Sequence, residues 1–433
     1  MPLDLDATRP GFDAKFKRLM RARDAQSRAA DAVAAKIVAD VQKRGDAALL
    51  AYTNRFDRVR LKASDLRVTP GELAAALKQC DRATVKALEL AASRIAAYHA
   101  KQHPADEVWK DDAGLLLGWR WTPIDAVGLY VPGGQAAYPS SVLMNAIPAK
   151  VAGVQRLVVA VPAPDGRLNP LVLAACKIAG VDEIYRVGGA QAVAALAYGT
   201  KTIAAVDKIT GPGNAYVAAA KRLVFGTVGI DLIAGPSEVV VVADGKNDPR
   251  WIAVDLLAQA EHDEAAQSIL ISDDAAFVAA VRQAVAAELR THPRRAIASA
   301  SWRKHGATIR VAKLDDCVAL IDALAPEHLQ LAVAVPARLA ARVRHAGAIF
   351  LGRHAPEALG DYLAGPNHVL PTSRAARFSS GLGVDAFVKR TTLMGADAAG
   401  LRRLAPAGIA LAEAEGLASH AASMALRIAA KRS

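Results

Sequence analysis

The stretch Asp255-Leu256-Leu257-Ala258-Gln259-Ala260-Glu261-His262-Asp263 sets a carboxamide and an imidazole three residues apart. On a helix that spacing puts both on one face. Asp248 and Pro249 supply an N-cap and a first-position proline, so a short helix ending here is expected. An amide oxygen and an imidazole nitrogen aimed at one point bind a divalent cation. A solvated helix end with a surface histidine explains the same residues. Pro326-Glu327-His328 places a carboxylate beside an imidazole. On a loop or strand the two act on one substrate from different sides, as separate bases, and an incidental pair is the alternative. Asp361 is a hard oxygen donor just before the turn Ala364-Gly365-Pro366-Asn367-His368, and Glu415 and His420 lie near the C-terminus. Metal sites without cysteine are built from dispersed groups of this kind. Spacing by itself does not show that they converge.

The elements that must carry these groups follow from hydrophobic periodicity. Val33, Ile37, Val41, Leu49 and Leu50 recur at helical spacing within 25–57, with a break at Gly45. Thr69-Pro70-Gly71-Glu72 is a capping-box start, and a long helix to about His103 is expected from it. Residues 109–236 alternate β-branched runs with helical patterns, which implies parallel strands and right-handed crossovers. Residues 237–381 repeat the theme. Residues 1–24 read as an arm, and 382–433 as a tail ending in a helix from about Leu411. Glycine- or proline-marked turns follow strands at Val131-Pro132-Gly133-Gly134, Val187-Gly188-Gly189-Ala190-Gln191, Gly211-Pro212-Gly213-Asn214 and Ala234-Gly235-Pro236-Ser237-Glu238. In open α/β sheets, ligands bind at the carboxyl ends of strands, and helix N-termini favour phosphate. A nucleotide site in 109–236 is therefore expected, although no G-x-G-x-x-G fingerprint is present.

A chain of 433 residues accommodates two or three domains. No apolar run approaches a membrane span, and the N-terminus carries no secretory signal. Cys80, Cys176 and Cys317 are far apart and form no metal or redox motif, so a reducing, cytoplasmic setting is expected. The net charge of +12 is scattered among alanines and acids. It offers no arginine-rich arm and no aromatic–basic platform for nucleic acid.

Taken together, the motifs resemble those of histidinol dehydrogenases. They are Tyr130-Val131-Pro132-Gly133-Gly134, Tyr138-Pro139-Ser140-Ser141, Gly188-Gly189-Ala190-Gln191-Ala192, Gly211-Pro212-Gly213-Asn214, Gly235-Pro236-Ser237-Glu238, Gln259-Ala260-Glu261-His262, Pro326-Glu327-His328-Leu329, Asn367-His368-Val369-Leu370-Pro371-Thr372 and Glu415-Gly416-Leu417-Ala418-Ser419-His420. They run in order from about residue 30 to 425. The resemblance implies a cytoplasmic enzyme with one zinc per subunit that uses NAD to oxidise L-histidinol to L-histidine. The reaction would pass through bound L-histidinaldehyde in two hydride transfers. By the same resemblance, the metal ligands are Gln259, His262, Asp361 and His420, and the acid–base residues are Glu327 and His328. The NAD contacts are Tyr130, Gln191 and Asn214. Ser237, His368 and Glu415 contact substrate, alongside His328 and the metal ligands. A homodimer is implied, with Glu415 and His420 serving the partner's site.

The fold expected is α/β, with two incomplete Rossmann-like parallel-sheet domains and small terminal arms used in dimerisation. Residues 25–108 and 237–381 would form the metal-bearing domain, 109–236 the NAD domain, and 1–24 and 382–433 the arms. Two places depart from the expected pattern: Gly360, where a serine is anticipated, and the stretch from Gly381 to Phe387. The competing readings are a metal hydrolase on Gln259, His262 and Asp361 with Glu327 as base, and a basic nucleic-acid-binding protein. Absorbance of NADH formed with histidinol separates the first rival. Salt-sensitive nucleic-acid binding separates the second.

Overall fold

The computed structural model describes residues 2–21, 28–132, 138–233 and 235–429. Gly133, Gly134 and Ala234 of the glycine turns lie outside the described residues. Numbered along the chain, the strands are β1 (Leu3–Asp6), β2 (Glu107–Lys110), β3 (Leu116–Pro123), β4 (Ala126–Tyr130), β5 (Arg156–Ala160), β6 (Glu183–Tyr185) and β7 (Lys208–Thr210). They continue with β8 (Gly229–Ile230), β9 (Glu238–Ala243), β10 (Gln267–Ser272), β11 (Ala307–Arg310), β12 (His328–Ala332), β13 (Ala348–Leu351) and β14 (Val388–Gly395). The chain divides into two compact units, Met1–Gln102 with Asp125–Ala386, and His103–Ile124 with Phe387–Ser433.

The first unit holds two sheets, ordered β6-β5-β4-β7-β8 and β1-β11-β10-β9-β12-β13. All their pairings are parallel. Counted within each sheet, the strands from β4 and from β9 both run 3-2-1-4-5, and β1 is added beside the third strand of the second sheet. Each is thus half of a doubly wound fold, with its switch point between β4 and β7 or between β9 and β12. β9 and β10 are buried along their whole length, as parallel strands covered on both faces must be. This is the α/β architecture expected from the alternation of apolar runs.

Three assignments differ from the sequence expectation. Residues 1–24 are not a peripheral arm: β1 pairs with β11, and Leu5, Phe16 and Leu19 enter the core of the six-stranded sheet. A four-residue strand whose partner lies at the other end of the domain leaves too short a pattern to read. The helices Arg28–Arg44 and Asp46–Asp57 pack with the five-stranded sheet, where Ile37, Val41 and Leu49 meet Val158, Tyr185 and Leu196, and not with 237–381. An apolar stripe specifies that a helix is covered, not which sheet covers it. The expected long helix is two, Pro70–Gln79 and Arg82–His99, because the Asp81 carboxylate caps the second through Thr84 N.

The second unit is an antiparallel sheet, β14-β3-β2, followed by helices Ala398–Ala414 and Ala418–Ala429. Residues 109–123, expected in the NAD domain, belong instead to this sheet: β3 pairs with β14 through eight register positions and with β2 on its other side. The Arg390 guanidinium lies 5.9 Å from the ring centres of both Trp119 and Trp121. Among the described residues no helix is long and apolar enough to cross a membrane.

One turn of the five-stranded sheet is held by buried charge. Lys221 is 2% exposed. Its Nζ donates to Gly211 O at 3.0 Å and pairs with Asp231, whose other oxygen accepts from Gly211 N at 2.8 Å. Gly211 has φ 109°, and a Cβ there would lie 2.1 Å from Tyr130 O, so only glycine fits. Lys221→Met leaves Asp231 buried and unpaired, and a loss of about 3–5 kcal/mol is expected. The double variant with Asp231→Asn is expected to lose less. Urea-unfolding midpoints measure both, and a Lys221→Met protein as stable as the wild type would refute the account.

Candidate active site

The register of β12 against β9 pairs His328 with Val239, so Glu327 and His328 start beside Glu238. The Glu238 peptide then serves both. Its N–H donates to Glu327 Oε2 at 2.8 Å, and its carbonyl accepts from His328 Nδ1 at 3.0 Å. A carbonyl only accepts, so Nδ1 carries a proton and Nε2 is the free end of the ring. His328 Nε2 is buried without a hydrogen-bond partner. Asp361 Oδ1 lies 3.7 Å from it, beyond a hydrogen bond. Glu357 Oε1 and Glu327 Oε2 stand 3.4 and 3.6 Å from Nδ1. The ring stacks on Phe350 with centroids 6.0 Å apart.

These groups are buried together, and that sets their proton affinities. Burial opposes an imidazolium at His328, but Glu357, Glu327 and Asp361 outweigh it and hold the pKa well above the usual histidine range. Burial pushes the Glu327 carboxyl up to about 7, against the pull of His328 and the Glu238 N–H. Glu357 is also raised, again first by burial. Burial raises Asp361 as well, yet its interactions with His328 more than reverse this and leave it below the usual carboxylate value.

Around this core lie the other candidate ligands. His328, Glu357 and Asp361 offer donor atoms within 4.8 Å of one another. The helix Pro249–Ala260 begins as expected, with Asp248 accepting from Arg250 N, and packs against the helix Glu357–Tyr362. Gln259 is fully buried in its last turn, and neither Oε1 nor Nε2 has a partner. Buried amides are ordinarily satisfied, so this pair of orphaned atoms suits a bound cation or substrate. His262 follows in the turn after the helix, its N–H bonded to Gln259 O at 3.2 Å. Solvent reaches the His262 ring, but the surrounding protein lowers its pKa, partly against the field of Asp361. His368 Nδ1 bonds the Asp361 carbonyl at 3.0 Å, its Nε2 stands 3.5 Å from Ser141 Oγ, and burial lowers its pKa. Ser237, half-buried, directly precedes Glu238, and its carbonyl accepts from Gln267 N.

The three expected NAD contacts sit at the carboxyl end of the five-stranded sheet. Tyr130 ends β4, its hydroxyl accepting from Gly189 N at 3.0 Å and its pKa pushed by burial up to about 12. Gln191, in the first turn of helix Gly189–Tyr198, is buried with Oε1 unpartnered. Asn214 caps helix Ala215–Val224 through Tyr216 N and Val217 N. Glu415 and His420 lie in the second unit, exposed, at the end of one helix and in the first turn of the next.

The six-stranded sheet departs from the rule that ligands sit at carboxyl strand ends. Its reactive groups gather at the amino ends of β9 and β12. At the carboxyl ends, Asn247 Nδ2 bridges Asp244 O and Ala332 O at 2.9 and 2.7 Å, and Arg353 pairs with Asp244 at 2.6 Å. These contacts tie the carboxyl ends of β9 and β12 to each other. Glu357, Glu238 and Phe350 escaped the sequence reading. Glu357 alone left a signal, standing four residues before Asp361 on a helix and hence on the same face.

Gly360, buried in the helix Glu357–Tyr362, explains one departure. A Cβ there would lie 2.3 Å from Phe350 Cε1, so a serine does not fit unless the ring moves. Gly360→Ala is expected to destabilise by about 1–3 kcal/mol through overpacking and to lower turnover by shifting the ring on which His328 stacks. Thermal melting and steady-state rates check this, and unchanged values for both would dismiss it.

Comparisons with known proteins show the family. The sequence model of histidinol dehydrogenase matches residues 19–428. The chain is 62% identical to histidinol dehydrogenase of Rhodospirillum rubrum and 60% identical to that of Ruegeria pomeroyi, with 99% of each chain covered in both cases. The crystal structure of histidinol dehydrogenase from Elizabethkingia anophelis superimposes with a TM-score of 0.93 at 35% identity, covering 99% of this chain and 98% of that one. With sequence and fold matched over nearly the full length, the chain belongs to the histidinol dehydrogenase family and is an oxidoreductase.

Proposed function

We propose that this chain oxidises L-histidinol to L-histidine in two steps, through bound L-histidinaldehyde, as part of histidine biosynthesis. The observation that carries the reading is the shared Glu238 peptide. It fixes the His328 tautomer and aims Glu327 into the same buried space. His328 Nε2 takes the alcohol proton in the first oxidation. Glu327, with a pKa raised toward neutrality, takes a proton from the water that hydrates the aldehyde, and the hydrate loses the second hydride. A cation held by Asp361 would offset part of the negative potential that raises the proton affinity of His328.

A zinc ion fits the donor set of Gln259, His262 and Asp361, because the buried Gln259 amide has no partner and Asp361 lies in the field of His262. When bound it would anchor the substrate's imidazole and amino nitrogens and orient the carbinol. NAD fits the carboxyl end of the five-stranded sheet, where Tyr130, Gln191 and Asn214 stand, and supplies the hydride acceptor. Ser237 and His368 flank the acid–base pair as substrate contacts. Family likeness supports the homodimer in which Glu415 and His420 of one chain complete the other's site, and both are exposed to do so. A reducing, cytoplasmic setting accords with the three free cysteines.

Three outcomes are expected. Histidinol-dependent NADH absorbance appears with the zinc-loaded protein. Chelation abolishes it and weakens histidinol binding far more than NAD binding in calorimetry, so normal turnover of metal-free protein would discard the metal assignment. Glu327→Gln leaves the first oxidation largely intact and slows aldehyde oxidation by about 10²-fold or more. Equal losses in the two half-reactions, measured by single turnover from the alcohol and from the aldehyde, would contradict that division of roles.

A further inference from the structure

Glu238 does more than lend its peptide. Its side-chain Oε1 accepts from Ser373 N, which ties the start of β9 to the segment after His368. That segment is bent sharply. Ser373 and Arg374 have φ of 54° and 64°, left-handed values that residues with a Cβ rarely adopt. Gly235 lets the segment come close: its N–H donates to Thr372 Oγ1 at 2.6 Å, and a Cβ there would lie 2.3 Å from Ser373 Oγ. On the other side, Arg374 Nε donates to Ala323 O at 3.1 Å, at the end of the helix that leads into Glu327. The residue joining that helix to the catalytic pair, Ala325, is also left-handed, at φ 44°. Two consecutive strained residues persist only where their surroundings over-determine them. Here one is held from β9 and the other from the approach to β12, the two strands whose starts carry the acid–base pair.

We propose that Glu238 is a positioning residue for both reacting groups. Its two flanking peptide groups orient Glu327 and His328, and its carboxylate fixes that stretch of main chain by anchoring the left-handed Ser373–Arg374 turn, which staples the starts of β9 and β12 together. The proposal rests on the reading that Glu327 and His328 perform the acid–base chemistry. It predicts that the reach of an acceptor oxygen at position 238 controls rate rather than substrate affinity. A shift of the peptide moves the base and the imidazole together, so both oxidations suffer alike. This separates Glu238 from Glu327, whose loss is confined to the second.

The test compares Glu238→Asp, whose oxygen is one methylene short, with Glu238→Gln, which keeps an oxygen at full reach. Both are assayed as zinc-loaded protein, per folded metal-containing site. Glu238→Asp is expected to lower kcat about tenfold or more in both half-reactions, since an error of about 1 Å in such groups costs up to about 10²-fold. KM values for histidinol and NAD should stay within about threefold, as interactions made only in the transition state require. Glu238→Gln should keep kcat within about threefold by the same reasoning. Relieving the strain with Ser373→Gly should recover part of the rate lost in Glu238→Asp. Turnover of Glu238→Asp within about twofold of wild type, while Glu327→Gln and His328→Asn are crippled, overturns the positioning role alone. Near-normal turnover of Glu327→Gln and His328→Asn removes the catalytic reading itself, and the proposal with it. A loss in Glu238→Asp that vanishes once rates are divided by folded, metal-containing sites also overturns it.

Discussion

Parallel pairing of β12 with β9 is the constraint on which the rest of the site depends. It forces a carboxylate, an imidazole and a peptide into one buried line, where none can be solvated and each must satisfy another. The Glu238 peptide settles the arrangement because it offers one donor and one acceptor to two side chains of opposite need. Glu357 and Asp361 then arrive on one helical turn and add negative charge that the single imidazole must balance. Such a cluster is costly to bury, and groups whose proton affinities are shifted this far mark a candidate functional site.

The two sheets share a strand order yet present opposite ends to chemistry. In the five-stranded sheet Tyr130 and the glycine turn at Gly211 stand beside the switch point. In the six-stranded sheet Asn247 and Arg353 bridge the corresponding strand ends. Under the proposed function, one architectural half would take the nucleotide and the other the small substrate. Fold topology made both ends available, and local side chains determined which one was used.

Much of this was legible in the residues. Strand–helix alternation gave the two parallel-sheet layers, and capping residues such as Asp248 and Thr69 marked helix starts to the residue. Ordered motifs named Glu327, His328, Gln259 and Asp361. What stayed hidden was long-range. β1 is too short to announce itself, and its partner lies at Ala307–Arg310. The strand carrying His328 reads as an apolar fragment until β9 is placed beside it. Glu238 was invisible as a participant because its contacts to Glu327 and His328 are made by backbone atoms, which every residue type possesses. Helical periodicity likewise could not say that residues 28–57 cover the first sheet rather than the second.

The pairing of Leu3–Asp6 with β11 also bears on how the chain is made. Leu3–Asp6 have no partner strand to join until Arg310 has been synthesised. The strands 126–230 and the helices before them meet their partners much sooner. The order of synthesis thus favours completion of the five-stranded layer first, with the amino-terminal strand waiting as an unpaired edge. Its alternating aspartates, Asp4 and Asp6, keep that edge charged during the wait, which is the protection that exposed strands of this kind need against pairing with the wrong chain.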